Sequence, residues 1–179
     1  MTSIGFIDPG KSSGITWAHY DDETPLTIDG YAQVDGGLLG LLMWLDENDG
    51  LVAELKAEES WHAEKFIPYT PHQTLDSSYP LVVEGALVTL GIVPDYEADP
   101  SRWHPSKDQY WMPGKKAQER RSAQKKWLRE NYPEMYVTGR SVAQKDAEDI
   151  LSCTFHMLNM LKNQKHLPTL RKFFPEEQT

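Results

Sequence analysis

A chain of 179 residues is long enough for one domain with a sizeable core and too short to add the second lobe of a two-lobed enzyme. Hydrophobic residues at 39% and charged residues at 25% are ordinary for a soluble protein, no apolar run reaches membrane-span length, and a single cysteine, Cys153, excludes an internal disulfide. A net charge of −9 speaks against an ordinary nucleic-acid binder, and with no signal-peptide pattern at the start a cytoplasmic protein is expected.

In chain order, an apolar run from Ile4 to Ile7 ends at Asp8. A turn of Pro9 and Gly10 follows, and a strand-like run from Gly14 to Tyr20 leads away, as in a hairpin. Gly5 to Ser12 formally satisfies the G-x-x-x-x-G-K-[ST] phosphate-loop pattern. Pro9 removes a backbone donor from that loop, and strand formers follow where the motif requires a helix, so the match is read as accidental. Leu26 to Val34 reads as a third strand, Leu38 to Glu47 as a helix interrupted by Asp49-Gly50, and Leu51 to Glu59 as a second helix.

Trp61 to Ile67 turns to aromatic and β-branched residues and reads as a short strand. Residues 67 to 79 read as a loop, and Pro80 as the first residue of a helix that runs from Leu81 to Leu90 and ends at Gly91. Residues 93 to 114 are Pro-rich with little regular pattern. Lys115 to Asn131 reads as a basic helix in which Lys115, Lys116, Arg120, Arg121, Lys125, Lys126 and Arg129 surround a single acid, Glu119. Tyr136 to Gly139 is a brief extended segment. Ala143 to Leu161 has the clearest helical period, with Ala147, Ile150, Leu151, Thr154, Leu158 and Leu161 on one side. Residues 163–179 are expected to be a loosely held polar tail behind a single domain, 1–162.

Three sets of residues carry chemistry. Asp8 at a strand end suits a metal ion, though a turn-capping aspartate is the bland reading. Asp146 and Asp149, at i and i+3 on the late helix, share a face with Cβ atoms about 5–6 Å apart. Alone, such a pair is often dipole compensation near a helix N-terminus; with Asp8 added, three carboxylates from distant parts of the chain can converge on a divalent cation. The basic helix is either a solvated face or a surface that tracks phosphates. Trp103, Tyr110 and Trp111 either stack on unpaired bases or pack a Pro-rich loop onto the core. His156 shares the helical stripe of Asp149 and reads as a satisfied core histidine, and His62 and His104 carry no stronger signal.

Ile-Gly-Phe-Ile-Asp8-Pro-Gly near the start, Ala-Glu64-Lys-Phe in the middle and Asp146-Ala-Glu-Asp149 in a late helix together resemble the RuvC-type Holliday-junction resolvases, most of all the phage-encoded branch. The resemblance spans roughly residues 4 to 161. It implies an α/β, RNase H-like fold with a five-stranded mixed sheet flanked by helices. It also implies an endonuclease that cuts branched DNA, above all four-way junctions, as a homodimer in the cytoplasm (the host's, for a phage-encoded protein). The implied ligands of two Mg²⁺ or Mn²⁺ ions, about 3.5–4 Å apart, are Asp8, Glu64, Asp146 and Asp149. Lys11 and Lys107 are candidates to steady a phosphate, with Lys115, Lys116, Arg120, Arg121, Lys125 and Lys126 as the wider DNA-binding surface.

Within that resemblance the middle acid is a choice among Glu54, Glu64 and Glu84. Glu54 lies among strong helix formers, and the residues around Glu84 suit a capped helix better than a strand. Glu64 follows a helix in a strand-like run, which is the order the family requires. The segment 93–135 is longer and richer in Trp and Pro than the family leads one to expect. Two readings from other classes are an ATP-binding phosphotransferase of the actin and sugar-kinase type, whose opening turn is similar, and a non-catalytic DNA-binding protein of the same fold.

Overall fold

The structure is a computed structural model that describes residues 1–64, 75–92, 119, 122, 126, 127, 129–133 and 141–173; side chains are described in these segments except at 75–77, 141–149, 151 and 163. Three strands form an antiparallel meander: β1 (Thr2–Asp8), β2 (Ser12–Tyr20) and β3 (Thr27–Asp35). Two helices follow, α1 (Gly37–Glu47) and α2 (Asp49–Ala57), and then a short strand, β4 (Trp61–Ala63), that pairs parallel to β1. The strand order is β3-β2-β1-β4, so the first strand lies directly beside the fourth. Helices α3 (Leu75–Thr89), α4 (Ser141–Asn163) and α5 (Leu167–Phe173) complete the described elements. The protein is therefore α/β with a mixed sheet flanked by helices. Of the five strands expected, four occur among the described residues.

Alternation along β1 divides the core in two, because successive side chains of a strand point to opposite faces. Ile4 and Phe6 join Ala18, Leu26, Cys153, Phe155, Met157, Leu158 and Leu161 under α4. Ile7 joins Ile15, Leu41, Leu45, Leu55, Trp61, Val83 and Leu87 under α1, α2 and α3. Polar pins fix α4 to the sheet: Thr16 Oγ1 donates to the Ile150 carbonyl at 3.4 Å, and Cys153 Sγ to the Gly14 carbonyl at 3.3 Å.

Gly5 is the position on which the β1–β4 pairing depends. A Cβ there would run into the Trp61 ring and come within 2.9 Å of Leu55 Cδ1. The absent side chain gives the fully buried indole room against β1, and the same approach brings β4 into register.

Two expectations are corrected. The third helix begins at Leu75, so Pro80 lies inside it instead of opening it, and 75–79 are helical, not loop. Leu-Asp-Ser-Ser suits a first helical turn, and burial of Val83 and Leu87 offsets the N–H that Pro80 withholds. The region after Lys162 also holds structure: α5 buries Thr169 and Phe173. Thr169 Oγ1 accepts from the Leu26 N–H at 3.1 Å, and the ring of His166, just before α5, lies 2.7 Å from the Asp21 carbonyl, so this end of the chain satisfies backbone groups of the β2–β3 loop. The remaining tail, 174–179, the expected loop at 67–74 and the segments 93–118 and 134–140 lie outside the described residues. In the basic stretch, positions 119, 122, 126, 127 and 129–131 are helical, as expected. No helix among the described residues is long and apolar enough to cross a membrane.

Candidate functional site

Asp8 is the last residue of β1 and is opposite Gly14 of β2. It is half-buried, and the buried Pro9 ends the strand immediately after it. Side-chain alternation places Asp8 on the face of Ile4 and Phe6, the face covered by α4.

Glu64 follows β4, and its N–H donates to the Ile7 carbonyl at 2.9 Å, which extends the parallel pairing by one residue. Since Phe6 is level with His62 and Ile7 with Ala63, the next pair in register is Asp8 and Glu64. Glu64 turns to the α4 face, as its contacts show: Ser152 Oγ donates to Glu64 Oε2 at 3.2 Å, and His156 Nε2 lies 3.5 Å from the same oxygen. The Glu64 side chain is 26% exposed and His156 only 5%. His156 stacks on Phe6, with ring centroids 4.8 Å apart and planes 2° from parallel. Ser152 thus holds one carboxylate oxygen by a hydrogen bond and the His156 ring lies beside it, while part of the side chain still meets solvent.

Asp146 and Asp149 belong to α4, six and three residues before Ser152. On a helix, 149, 152 and 156 fall on one stripe, so the backbone carries the late acids at the end of the stripe that holds Glu64. Their side chains are outside the described set. Among the described residues no group of three or more His, Cys, Asp or Glu side chains forms a metal-sized cluster.

The rival middle acids lie elsewhere. Glu54 is exposed on α2 and accepts from Ser3 Oγ at 3.2 Å; Glu84 is on α3, on the other side of the sheet. The phosphate-loop match is not such a loop: Gly5 is inside β1 and the residues after Lys11 enter β2, a strand.

His62, on the Phe6 side of β4, has its pKa lowered to about 4 by burial, which makes it a neutral ring at physiological pH. Of the cations expected to meet DNA, Lys11 is exposed just beyond Asp8, and Lys126 is exposed with its ammonium 3.8 Å from Glu130. Lys107, Lys115, Lys116, Arg120, Arg121 and Lys125 lie outside the described residues, as do Trp103, Tyr110, Trp111 and His104. An open groove lined by Asp22, Glu23, Arg171 and Lys172 sits at the β2–β3 turn. Because Tyr20 is level with Thr2 and Gly14 with Asp8, that groove is at the opposite end of the sheet from the acids.

Sequence reasoning passes over Ser152, although its place three residues after Asp149 is a usable signal. No protein-family model, curated protein or solved structure matches the chain.

Proposed function

We propose that the protein is a metal-dependent, structure-selective DNA endonuclease of RNase H-like architecture that cleaves four-way junctions. One observation carries this reading: Asp8 and Glu64 end adjacent parallel strands on the face against which α4 packs, and Glu64 is bonded to α4 one turn from Asp149. The first strand, the fourth and the late helix are the three elements on which the resemblance to the resolvases places the acids.

The donor chemistry fits the expected cofactor. Carboxylate oxygens without thiolate or paired imidazole ligands select hard cations such as Mg²⁺ or Mn²⁺. Asp8, Glu64, Asp146 and Asp149 would hold them. When bound, such ions neutralise charge on the scissile phosphate and act as Lewis acids there.

The protein's own residues do the rest. Ser152 holds the Glu64 carboxylate by a hydrogen bond with the His156 ring packed beside it, so its rotamer is set before substrate arrives. Lys11 and the basic stretch around Lys126 attract the phosphate backbone. In the net reaction a water oxygen bonds to phosphorus and the P–O3′ bond breaks; a 3′-hydroxyl and a 5′-phosphate result. Paired cuts across a four-way junction require two such sites, hence two chains.

Purified protein incubated with four-way, flap and linear DNA tests the proposal. Symmetric nicks in the four-way junction with Mg²⁺ or Mn²⁺, lost in EDTA, are expected. Absence of cutting on every substrate, or full cutting in EDTA, refutes it.

A further inference from the structure

Each side chain described on α4 from Ile150 to Asn159 is buried, His156 among them. The His156 ring lies on Phe6, with centroids 4.8 Å apart and planes 2° from parallel. A phenyl ring would fill that stack as well. What imidazole adds is a nitrogen in the plane of the ring, and Nε2 is 3.5 Å from Glu64 Oε2. That separation is beyond the roughly 2.7–3.2 Å of an N–H···O hydrogen bond.

It has a second meaning. Nitrogen and oxygen donors lie about 2.0–2.2 Å from a divalent ion, so two of them on one ion are about 3.0 Å apart at a right angle and about 3.4 Å apart at a tetrahedral angle. The His156–Glu64 pair is close to that spacing, and Glu64, the more exposed of the two, is the side chain that can close it. Oε2 also accepts from Ser152 Oγ at 3.2 Å. A carboxylate oxygen has two lone pairs, so that bond survives when the second one meets a cation.

We propose that His156 Nε2 and Glu64 Oε2 together bind one divalent cation, and that the imidazole makes this a site for Mn²⁺ over Mg²⁺. Sites built of oxygen alone suit Mg²⁺, whereas a nitrogen donor favours transition ions; Mn²⁺ is the one that also suits the carboxylate and water in the remaining positions.

The place is separate from that of the late acids. Asp149 and His156 are about 10.5 Å apart along the helix axis, so one ion cannot take both, while Glu64 meets α4 between them, at Ser152. The ion held by His156 is therefore the inner one, one turn further along α4. Because Nε2 itself is buried, the cation reaches it from the Glu64 side. That this ion is one of the two catalytic ions rests on the proposed function; the chelate rests on the geometry.

Mn²⁺ titrated into the full chain without DNA, followed by the EPR signal of the unbound ion, gives the affinity, and competition with Mg²⁺ gives the preference. The wild type should prefer Mn²⁺. His156→Phe, which keeps the stack on Phe6, should lose about 10–100-fold in Mn²⁺ affinity, the size of loss that follows removal even of a group that only supports a ligand, and little in Mg²⁺ affinity. Pulsed EPR of the bound Mn²⁺ reads the donor directly: a nitrogen coupling from imidazole should be present in the wild type and in His62→Phe and absent from His156→Phe. The wild-type and His62→Phe spectra decide the matter even where His156→Phe does not fold. A wild-type spectrum without imidazole nitrogen, a coupling that vanishes in His62→Phe, or no Mn²⁺ bound at millimolar concentration overturns the site. Cleavage is scored separately: nitrogen-ligated Mn²⁺ in a protein that cuts no DNA refutes the nuclease reading and leaves the site standing, whereas metal-dependent cutting with no nitrogen on the ion does the reverse.

Discussion

Gly5→Ala is the smallest change that tests whether the β1–β4 contact builds the site. The new Cβ would overlap the Trp61 ring and lie 2.9 Å from Leu55 Cδ1. Trp61 is fully buried and its Nε1 donates to the Val52 carbonyl at 3.4 Å, so the ring cannot swing into solvent. Overpacking a filled core costs about 1–3 kcal/mol, and a clash with ring atoms belongs at the upper end. Reduced freedom of the unfolded chain returns about 0.4–1 kcal/mol. The clash wins, leaving a net loss of about 2 kcal/mol, which lowers Tm by about 4–8 °C for a chain of this size. Because β4 has only three paired residues, displacement of Trp61 carries Glu64 away from Asp8. A shift on the order of 1 Å in a positioned group costs up to about a hundredfold in rate. Thermal unfolding followed by circular dichroism, with single-turnover cleavage of a four-way junction, measures both effects. Trp61→Phe removes the colliding part of the indole, so the double variant should be more stable than the sum of the single changes. Additivity of the two, or a Gly5→Ala protein as stable as the wild type, refutes the reasoning.

Glu64→Gln should fold and bind junction DNA but not cut it, as should Asp146→Asn and Asp149→Asn, while Glu84→Gln on α3 should cut at the wild-type rate; a dead, folded Glu84→Gln beside an active Glu64→Gln would reverse the choice of acid. Neutralising Lys115, Lys116, Arg120 and Arg121 together should flatten the plot of log affinity against log salt by up to about 0.9 for each phosphate no longer neutralised, and an unchanged slope would mean that this stretch does not meet DNA. Burial holds the His62 pKa at about 4 against 6.5 in the unfolded chain, so the unfolded state binds the extra proton between those values. Stability is complete above about pH 6.5 and falls as the pH drops towards 4, by at most about 1.4 kcal/mol per unit; denaturant titrations of the wild type and His62→Phe at pH 7 and pH 5 should show that difference shrink in the variant.

What could be read from the chain follows from how local each signal is. The meander was legible because Ile4 to Ile7 and Gly14 to Tyr20 flank a Pro-Gly turn, and the late helix because its apolar residues keep one period over many turns. The start of α3 was not, because Pro80 is a strong local boundary signal that the burial of Val83 and Leu87 overrides. α5 was missed for a similar reason: seven residues with a proline at the second position are too short to show a helical period, and what fixes the helix is a hydrogen bond from Leu26 to Thr169, 143 residues apart. Asp8 and Glu64 were identifiable one at a time as acids at strand ends. Their adjacency was not, since a parallel pairing between Gly5 and Trp61 has no local sign beyond a glycine where an apolar side chain was expected.

That glycine links the two sides of the sheet. Along β1 the residues Ile4, Gly5, Phe6, Ile7 and Asp8 alternate between the α4 face and the α1–α3 face. Gly5 admits Trp61 on the second face, and the strand so placed delivers His62 and Glu64 to the first. Phe6, stacked on His156, sets the height at which α4 crosses, and so sets where Ser152 meets Glu64. A substitution in the α1–α3 half that moves Trp61 therefore reaches the acids through β4 without touching them. That coupling follows from the alternation alone. Losses of cleavage caused by core changes around Trp61 should therefore accompany a lower Tm, and a core change there that abolishes cleavage at an unchanged Tm would break this link.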